Sequence, residues 1–481
     1  MKLKLFSLIL LYFLSRIPFI RSYPVYYDSF EYERIADKIN LSNFRQTALL
    51  SHQPVHTFYL ATAAFFKSFF PYLNSGQVLS LISFLSGLFT VIIFYLAIKD
   101  IDGENRGFWA GLFLLSFPYF LAVNSNILYE GELLMFLALA LLLGIKPGKK
   151  NNMYLTALSG VSYGLSVLIF IGSLFFLPII LIVNIAKKKK PVFNLFIFLL
   201  AFSLTAILSD LILFSSIINL ADKYLSHASD FTSARGGILI FTARILRNIF
   251  LQTSLNLSAI GAAIFFAALI FFLYKKRVYR TYFLVLGIPL MILMQYWHAG
   301  LYGRLAVIIL FPAAYVLSQI GKNSLSKLLI ILLILTTTRK YAKAFLSRPP
   351  SYHYLKLINN NPVLNGSAVV TSDYNRFIYE RYGSPVFIIR DTPGIYDQLD
   401  VFISRQLQNN RIVAVDSQAV FFPNRQFDGD FYHPLTFKKR ANEKIQTILK
   451  KYPTVSTVKD SGNEEIYFLI LNPGESLAIY H

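Results

Sequence analysis

The 481-residue chain has no cysteine, two tryptophans and only 25 Asp+Glu, and charged residues of either sign make up just 15% of it. Without cysteine, no disulfide framework can hold a small secreted fold together. So little charge over this length excludes a soluble multi-domain enzyme and a disordered chain as readings of the whole. What is present is apolar: 55% of residues, among them 45 Phe and 30 Tyr. The 46 Lys+Arg leave a net charge of +21, which is compatible with nucleic acid, anionic lipid or membrane topology as its cause.

Placement decides among these. Apolar runs long enough to cross a hydrocarbon core of about 30 Å recur from residue 3 to about residue 343. They predict eleven transmembrane helices, over 3–20, 77–98, 107–126, 131–145, 152–169, 172–186, 191–217, 255–274, 279–297, 303–320 and 325–343. The first run follows Lys2 and Lys4, and Arg16, Pro18 and Arg21 stand where a signal peptide would need small residues. It reads as a retained helix with a cytoplasmic N-terminus. Residues 54–70 are ambiguous. If they do not cross, every compact basic loop falls on the cytoplasmic side, as short cytoplasmic loops should. We therefore expect an interfacial helix there, carrying Lys67. The loops so assigned hold 17 Lys+Arg and 3 acids, net +14, so two thirds of the charge is orientation in the bilayer. No basic face with interleaved aromatics remains for nucleic acid.

An α-helical polytopic membrane domain over 1–344 follows, with a first outer loop at 21–76, a second at 126–132 and a mid-chain outer loop at 218–254. The last contains an amphipathic stretch, 236–252, where Arg244 and Arg247 share a helical face. Composition changes after residue 344. SAVVTS, PVFIIR, RIVAVD and EEIYFLIL read as strands, alternating with helical stretches near 373–382, 395–409 and 440–451. Residues 345–481 thus predict a small α/β domain on the extracytoplasmic side. It carries no GxGxxG or GxxxxGK[ST] motif, so no nucleotide site is implied.

Only twelve acids lie in the first 344 positions. Asp100, Asp102 and Glu104 read as a solvated cytoplasmic loop. The outer loops are different, because a carboxylate at the rim of a bundle is costly unless it faces a polar cavity or a partner. Asp28, Glu31 and Glu33 stand in the first loop, and Glu130 and Glu132 in the second. A two-sided acidic site of Asp28 with Glu130 or Glu132 is one reading. The other is helix initiation: Asp28-Ser-Phe-Glu31 has the form of a capping box starting a helix at 29, and Glu130 and Glu132 suit the positive end of the following helix. His52 and His56 are four apart in HQPVH, a spacing found in zinc sites but without a third ligand here. Arg304, in HAGLYGR at the mouth of an apolar helix, would be satisfied by a phosphate or by snorkelling to headgroups, and Arg16 presents the same choice.

Taken in order, these features resemble a family. Asp28, Tyr32 and Ala36 give D-x-x-x-Y-x-x-x-A after one short helix. HQP precedes the interfacial helix, an acidic loop follows the third span, and YGRLAVIILFP (302–312) opens the tenth. The chain resembles the GT-C superfamily of integral-membrane glycosyltransferases, in particular the protein O-mannosyltransferases and the aminoarabinose transferase that modifies lipid A. The resemblance implies a GT-C-like fold of about 11 transmembrane helices with outer interfacial helices. It implies Asp28 as catalytic or metal-organising acid, Glu130 or Glu132 as the second-loop acid, and Arg304 as the donor-phosphate ligand. On chemical grounds Arg244, Arg247 or a divalent cation (Mg or Mn) would share the phosphate charge with Arg304. Glu31, Tyr32, His52, His56 and Tyr302 are candidate substrate contacts. Ser29 stands where the family usually has a second acid, and the second loop offers glutamates in place of an aspartate.

The expected activity is transfer of a hexose or pentose from a polyprenyl-phosphate donor to a lipid, polysaccharide or protein acceptor on the outer face of the cytoplasmic membrane. Two alternatives stand beside it. A polymerase or ligase of lipid-linked polysaccharide would lean on His227, Arg235, Arg244 and Arg247. A lipid or solute transporter would show two similar halves, and none are visible.

Overall fold

The computed structural model describes residues 2–22, 27–43, 47, 57–146, 153–185, 190–214, 253, 257–274, 307–320, 328, 330–335, 350–372, 379, 383–389, 394–420, 443–452, 454–461 and 463–472. The chain divides into two compact units. One is built mainly of Met1–Ser22 and Ile35–Lys343, the other mainly of Tyr23–Arg34, Ala344–Phe427 and His433–His481.

The first unit is helical. Its described helices are α1 (Lys2–Arg16), the C-terminal part of α2 (Tyr27–Lys38), α3 (Thr57–Phe69), α4 (Ser75–Asp102), α5 (Glu104–Ser116), α6 (Pro118–Ser125), α7 (Glu130–Ile145), α8 (Met153–Ile169), α9 (Leu177–Ile185), α10 (Pro191–Phe214), α11 (Ala259–Tyr274) and α12 (Leu310–Ile320). Among the described residues two helices are long and apolar enough to cross a membrane unaided, Ser75–Asp102 and Pro191–Ser209. A third qualifies if α5 and α6 form one span bent by 70°. The apolar runs of the sequence otherwise map onto shorter helices. Span 172–186 is a 3-10 turn (Ile171–Phe176) leading into α9, and the run at 279–297 lies outside the described residues.

Proline causes the break between α5 and α6. Phe117 precedes Pro118 and is forced to an extended conformation, φ −73° and ψ 129°, which ends one helix and starts the next. The buried carbonyl of Leu115 next to the break is met by Arg16, whose Nη2 donates to it at 3.0 Å. The Arg16 guanidinium lies 5.4 Å from the Tyr12 ring centroid and 5.3 Å from that of Phe120. Arg16 is buried, so it neither snorkels to headgroups nor meets a lipid phosphate. It closes a helix break instead, a role invisible without knowing that α1 runs beside α5.

Small residues bring the long helices together. α4 packs on α5 and α7, α7 on α8, and α8 on α10. A Cβ added at Gly160 of α8 would fall 2.5 Å from the Phe198 carbonyl of α10, and one at Gly164 would fall 2.9 Å from Thr205 Cβ. This is the close approach that a small-x-x-x-small spacing permits in lipid, where hydrophobicity gives helices no reason to associate. At the other end of the bundle Asp102 is engaged rather than merely solvated. Its Oδ2 accepts from Tyr315 Oη at 2.6 Å and Gln319 Nε2 at 3.1 Å, both on α12. Arg106 donates to the Ser318 carbonyl beside them. The sequence reading of this acidic loop is corrected here: Gly103 turns the chain at φ +91°, and Asp102 faces α12 on one side of that turn.

The second unit is an α/β domain. Five strands, β1 (Ala368–Ser372), β2 (Val386–Ile389), β3 (Val413–Asp416), β4 (Thr454–Asp460) and β5 (Asn463–Leu471), lie in the order β2-β1-β3-β5-β4. β1 pairs parallel with β2 and β3, and β5 antiparallel with β3 and β4. Alternation along the strands serves two faces. Val369, Ala414, Phe468 and Ile470 pack with Tyr354, Leu357 and Ile358 of α13 (Pro350–Asn360) and with Phe30 of α2. Val370, Val413 and Val415 pack on Leu399 and Ile403 of α14 (Ile395–Gln408), Ala419 of α15 (Ser417–Val420) and Ile445 and Ile448 of α16 (Glu443–Leu449). A buried carboxylate ties the end of β3 to its neighbours. Asp416 accepts from Thr371, from Tyr379 Oη at 2.7 Å and from the Ala419 amide at 2.8 Å. Burial, together with the charge of Asp416, holds the Tyr379 and Tyr354 phenols well above their ordinary range.

Candidate active site

The acids of the second loop are the best-defined part of the candidate site. After α6 the chain turns through Asn126-Ile-Leu-Tyr129 and re-enters a helix at Glu130, so Glu130 and Glu132 both occupy the first turn of α7. That location suits the positive helix end, and no side chain caps it. Dipole complementarity alone would leave the carboxylates at the surface. Glu130 is 0% and Glu132 2% exposed.

The turn is locked onto α4. Ser83 Oγ donates to the Leu128 carbonyl at 3.0 Å and accepts from the Leu128 amide at 3.3 Å. Tyr59 Oη of α3 lies 3.4 Å from the same Ser83 Oγ. Gly131 allows the contact: a Cβ there would meet the Ser83 carbonyl at 3.1 Å and Asn124 Oδ1 at 3.2 Å. Asn124 is fixed in turn through its Nδ2, which donates to the Phe120 carbonyl at 2.6 Å. The first-loop edge joins by backbone, the Arg21 amide donating to the Ser125 carbonyl at 2.9 Å. Ser80 of α4 donates to the Arg21 carbonyl.

Glu132 itself is held from α3. Thr62 Oγ1 donates to Glu132 Oε1 at 2.6 Å, while Oε2 is buried with no hydrogen-bond partner among the described residues. One turn away, Phe58 meets Phe136 edge-on with ring centroids 5.6 Å apart. Lys67, further along α3, donates to the Ala36 carbonyl and to Ser75 Oγ at 3.2 Å. Partial burial pulls its amine below the ordinary lysine value, against the opposing pull of Asp37. What the geometry provides here is two desolvated carboxyl groups in one helix turn, with one oxygen of Glu132 held by Thr62 and the other without a hydrogen-bond partner among the described residues.

Asp28 lies in the first turn of α2, which begins at Tyr27, so the helix starts earlier than the capping-box reading expected. Tyr32 and Ala36 follow at four-residue intervals on one helical face and are fully buried, as is Glu31. The side chain of Asp28 and all of His52, His56, Arg244, Arg247, Tyr302 and Arg304 lie outside the described residues. Among the described residues no group of three or more His, Asp or Glu converges to hold a metal. Sequence reasoning missed Thr62 and Ser83, whose significance is that of contacts made across 45 to 70 residues of chain, and Asn124, which stands beside Gly131. The polar spacing Ser80, Ser83, Ser86 within the apolar α4 was the available signal.

Comparison with known proteins agrees with this architecture. The family model for dolichyl-phosphate-mannose-protein mannosyltransferases matches residues 52–209, a stretch that contains Thr62, Glu130 and Glu132. No curated protein matches the chain in sequence. In fold the chain is similar to ArnT from Cupriavidus metallidurans, crystallised with undecaprenyl phosphate, at a TM-score of 0.58 and 11% identity over 99% of this chain and 98% of that one. It is also similar to the archaeal oligosaccharyltransferase AglB from Archaeoglobus fulgidus, determined with an inhibitory peptide and a dolichol-phosphate, at a TM-score of 0.52 and 13% identity over 99% and 74%. The chain therefore shares the fold of ArnT and AglB, a bundle of helices with a small α/β domain at the C-terminal end of the chain.

Proposed function

We propose that the protein transfers a sugar from a polyprenyl-phosphate donor to a lipid, polysaccharide or protein acceptor at the outer face of the cytoplasmic membrane, with its N-terminus cytoplasmic and its α/β domain extracytoplasmic. The observation that carries the reading is the desolvated pair Glu130/Glu132, locked at the start of α7 inside the stretch that matches the mannosyltransferase family. Undecaprenyl phosphate in ArnT and dolichol-phosphate in AglB support the donor class.

The chemistry needs few groups. A sugar joined to a phosphate already has a good leaving group, so the departing oxygen needs no proton, unlike the glycosidase case. Asp28 takes the proton of the acceptor hydroxyl as that oxygen attacks the anomeric carbon. The bond from that carbon to the phosphate oxygen breaks, and polyprenyl phosphate leaves. Arg304, with Arg244 and Arg247, stabilises the phosphate charge. Glu130 and Glu132 hold substrate hydroxyls. Glycan transfer in membranes carrying Asp28→Asn at unchanged expression tests the assignment: loss of transfer is expected, and full activity would overturn it.

A further inference from the structure

We infer that Thr62 is a positioning residue for Glu132, holding Oε1 so that Oε2 is the oxygen presented to substrate. The inference rests on the glycosyl-transfer reading above. Two contacts one turn apart set α3 against α7: Thr62 with Glu132, and Phe58 with Phe136. Residues 58 and 62 share a face of α3, and 132 and 136 share a face of α7, so the pairs lock the register of the two helices. The aromatic pair supplies the rigidity and the hydroxyl supplies the aim.

Proton bookkeeping then separates the two oxygens. Thr62 has one hydroxyl proton and two acceptors within reach, Glu132 Oε1 at 2.6 Å and the Phe58 carbonyl at 3.2 Å. The shorter contact is to the carboxylate, and charge-assisted bonds of that kind are the stronger ones. Oε1 therefore accepts from Thr62 when Glu132 is ionised. If Glu132 takes a proton, the open oxygen Oε2 carries it, and Oε1 remains an acceptor for the same hydroxyl. In both states Oε2 is the oxygen that no described group engages. A buried carboxylate oxygen with no described partner is costly unless a ligand completes it.

Steady-state kinetics with Thr62→Val, Thr62→Ser and Glu132→Gln, each in full-length protein in detergent with its thermal stability recorded, tests this. Thr62→Val keeps the shape and removes the donor. It should lower kcat by about 10- to 100-fold, the range found when a supporting hydrogen bond to a working ligand is lost, and change donor KM by less than about 3-fold. Thr62→Ser, which restores the hydroxyl, should recover most of kcat. Equal losses in the Val and Ser variants would assign Thr62 to packing and overturn the inference, as would wild-type kcat in Thr62→Val. If Thr62→Val does not fold, Thr62→Ala against Thr62→Ser makes the same comparison. Full transfer by Glu132→Gln overturns the role given to Glu132 in the proposed function as well, whereas loss in Glu132→Gln with none in Thr62→Val overturns the Thr62 inference alone.

Discussion

Replacing Gly131 by alanine places a methyl group between the two buried glutamates, and its consequences can be worked from the contacts. The new Cβ would lie 3.1 Å from the Ser83 carbonyl and 3.2 Å from Asn124 Oδ1, a few tenths of an ångström tighter than ordinary contact. Neither neighbour yields easily. The first is α4 backbone, and the second belongs to a side chain pinned to the Phe120 carbonyl. The first turn of α7 must then move, carrying Glu130 and Glu132 with it. Overpacking costs about 1–3 kcal/mol, while alanine in place of glycine in a helix returns about 1 kcal/mol. Net stability should change by no more than about 2 kcal/mol. The rate is more sensitive: a shift of about 1 Å at a catalytic group costs roughly 100-fold, so a few tenths should cost about 3- to 10-fold. Gly87→Ala is the contrasting case, because its Cβ would fall 2.3 Å from Asn124 Cγ and 2.4 Å from Tyr12 Oη. That variant should lose about 1–3 kcal/mol of stability, seen as a lowered Tm. Thermal unfolding in detergent beside a glycan-transfer assay reads both quantities. A Gly131→Ala enzyme with wild-type rate would refute the claim that this turn holds working carboxylates.

The α/β domain offers two independent tests. Tyr379→Phe removes one donor from buried Asp416 and should cost about 1–3 kcal/mol of domain stability, measured by hydrogen exchange of β1 and β3 in the full-length protein; unchanged exchange would count against the network. Asp400 accepts from Lys451 Nζ at 2.6 Å and Tyr452 Oη at 2.6 Å, and these bonds hold its carboxyl below the ordinary value of 3.8. A lowered folded value means that the pair's stabilisation is complete above about pH 4 and is lost as pH falls through the folded value, so any Tm difference between wild type and Asp400→Asn should be present at neutral pH and vanish in strong acid. A difference that grows on acidification would reverse the sign.

How much of this was legible in the sequence differs by element. Four of the five strands stand out as short β-branched runs, and the helices at 395–408 and 443–449 fall where amphipathic stretches predict them. β4 was missed. TVSTVKD carries five polar residues and only two apolar ones, because it is an edge strand paired on one side only, with β5. The apolar run 107–126 gives no hint of its bend, since average hydropathy is blind to the one proline that breaks it. Glu130 and Glu132 were visible because acids are scarce in the bundle, but their burial was not, and neither was Thr62. A threonine 70 positions away becomes meaningful only when α3 is laid against α7. Arg16 shows the same limit from the other side. A charge in an apolar run announces a partner, but only the fold reveals that the partner is the carbonyl at a broken helix rather than a phosphate.

The most direct test of the central claim is mass spectrometry of products after purified protein is supplied with a panel of polyprenyl-phosphate sugars and candidate acceptors. The account predicts that one donor is consumed, that free polyprenyl phosphate appears in equal amount, and that one acceptor class gains the mass of that sugar. A folded protein that leaves every donor intact would contradict it.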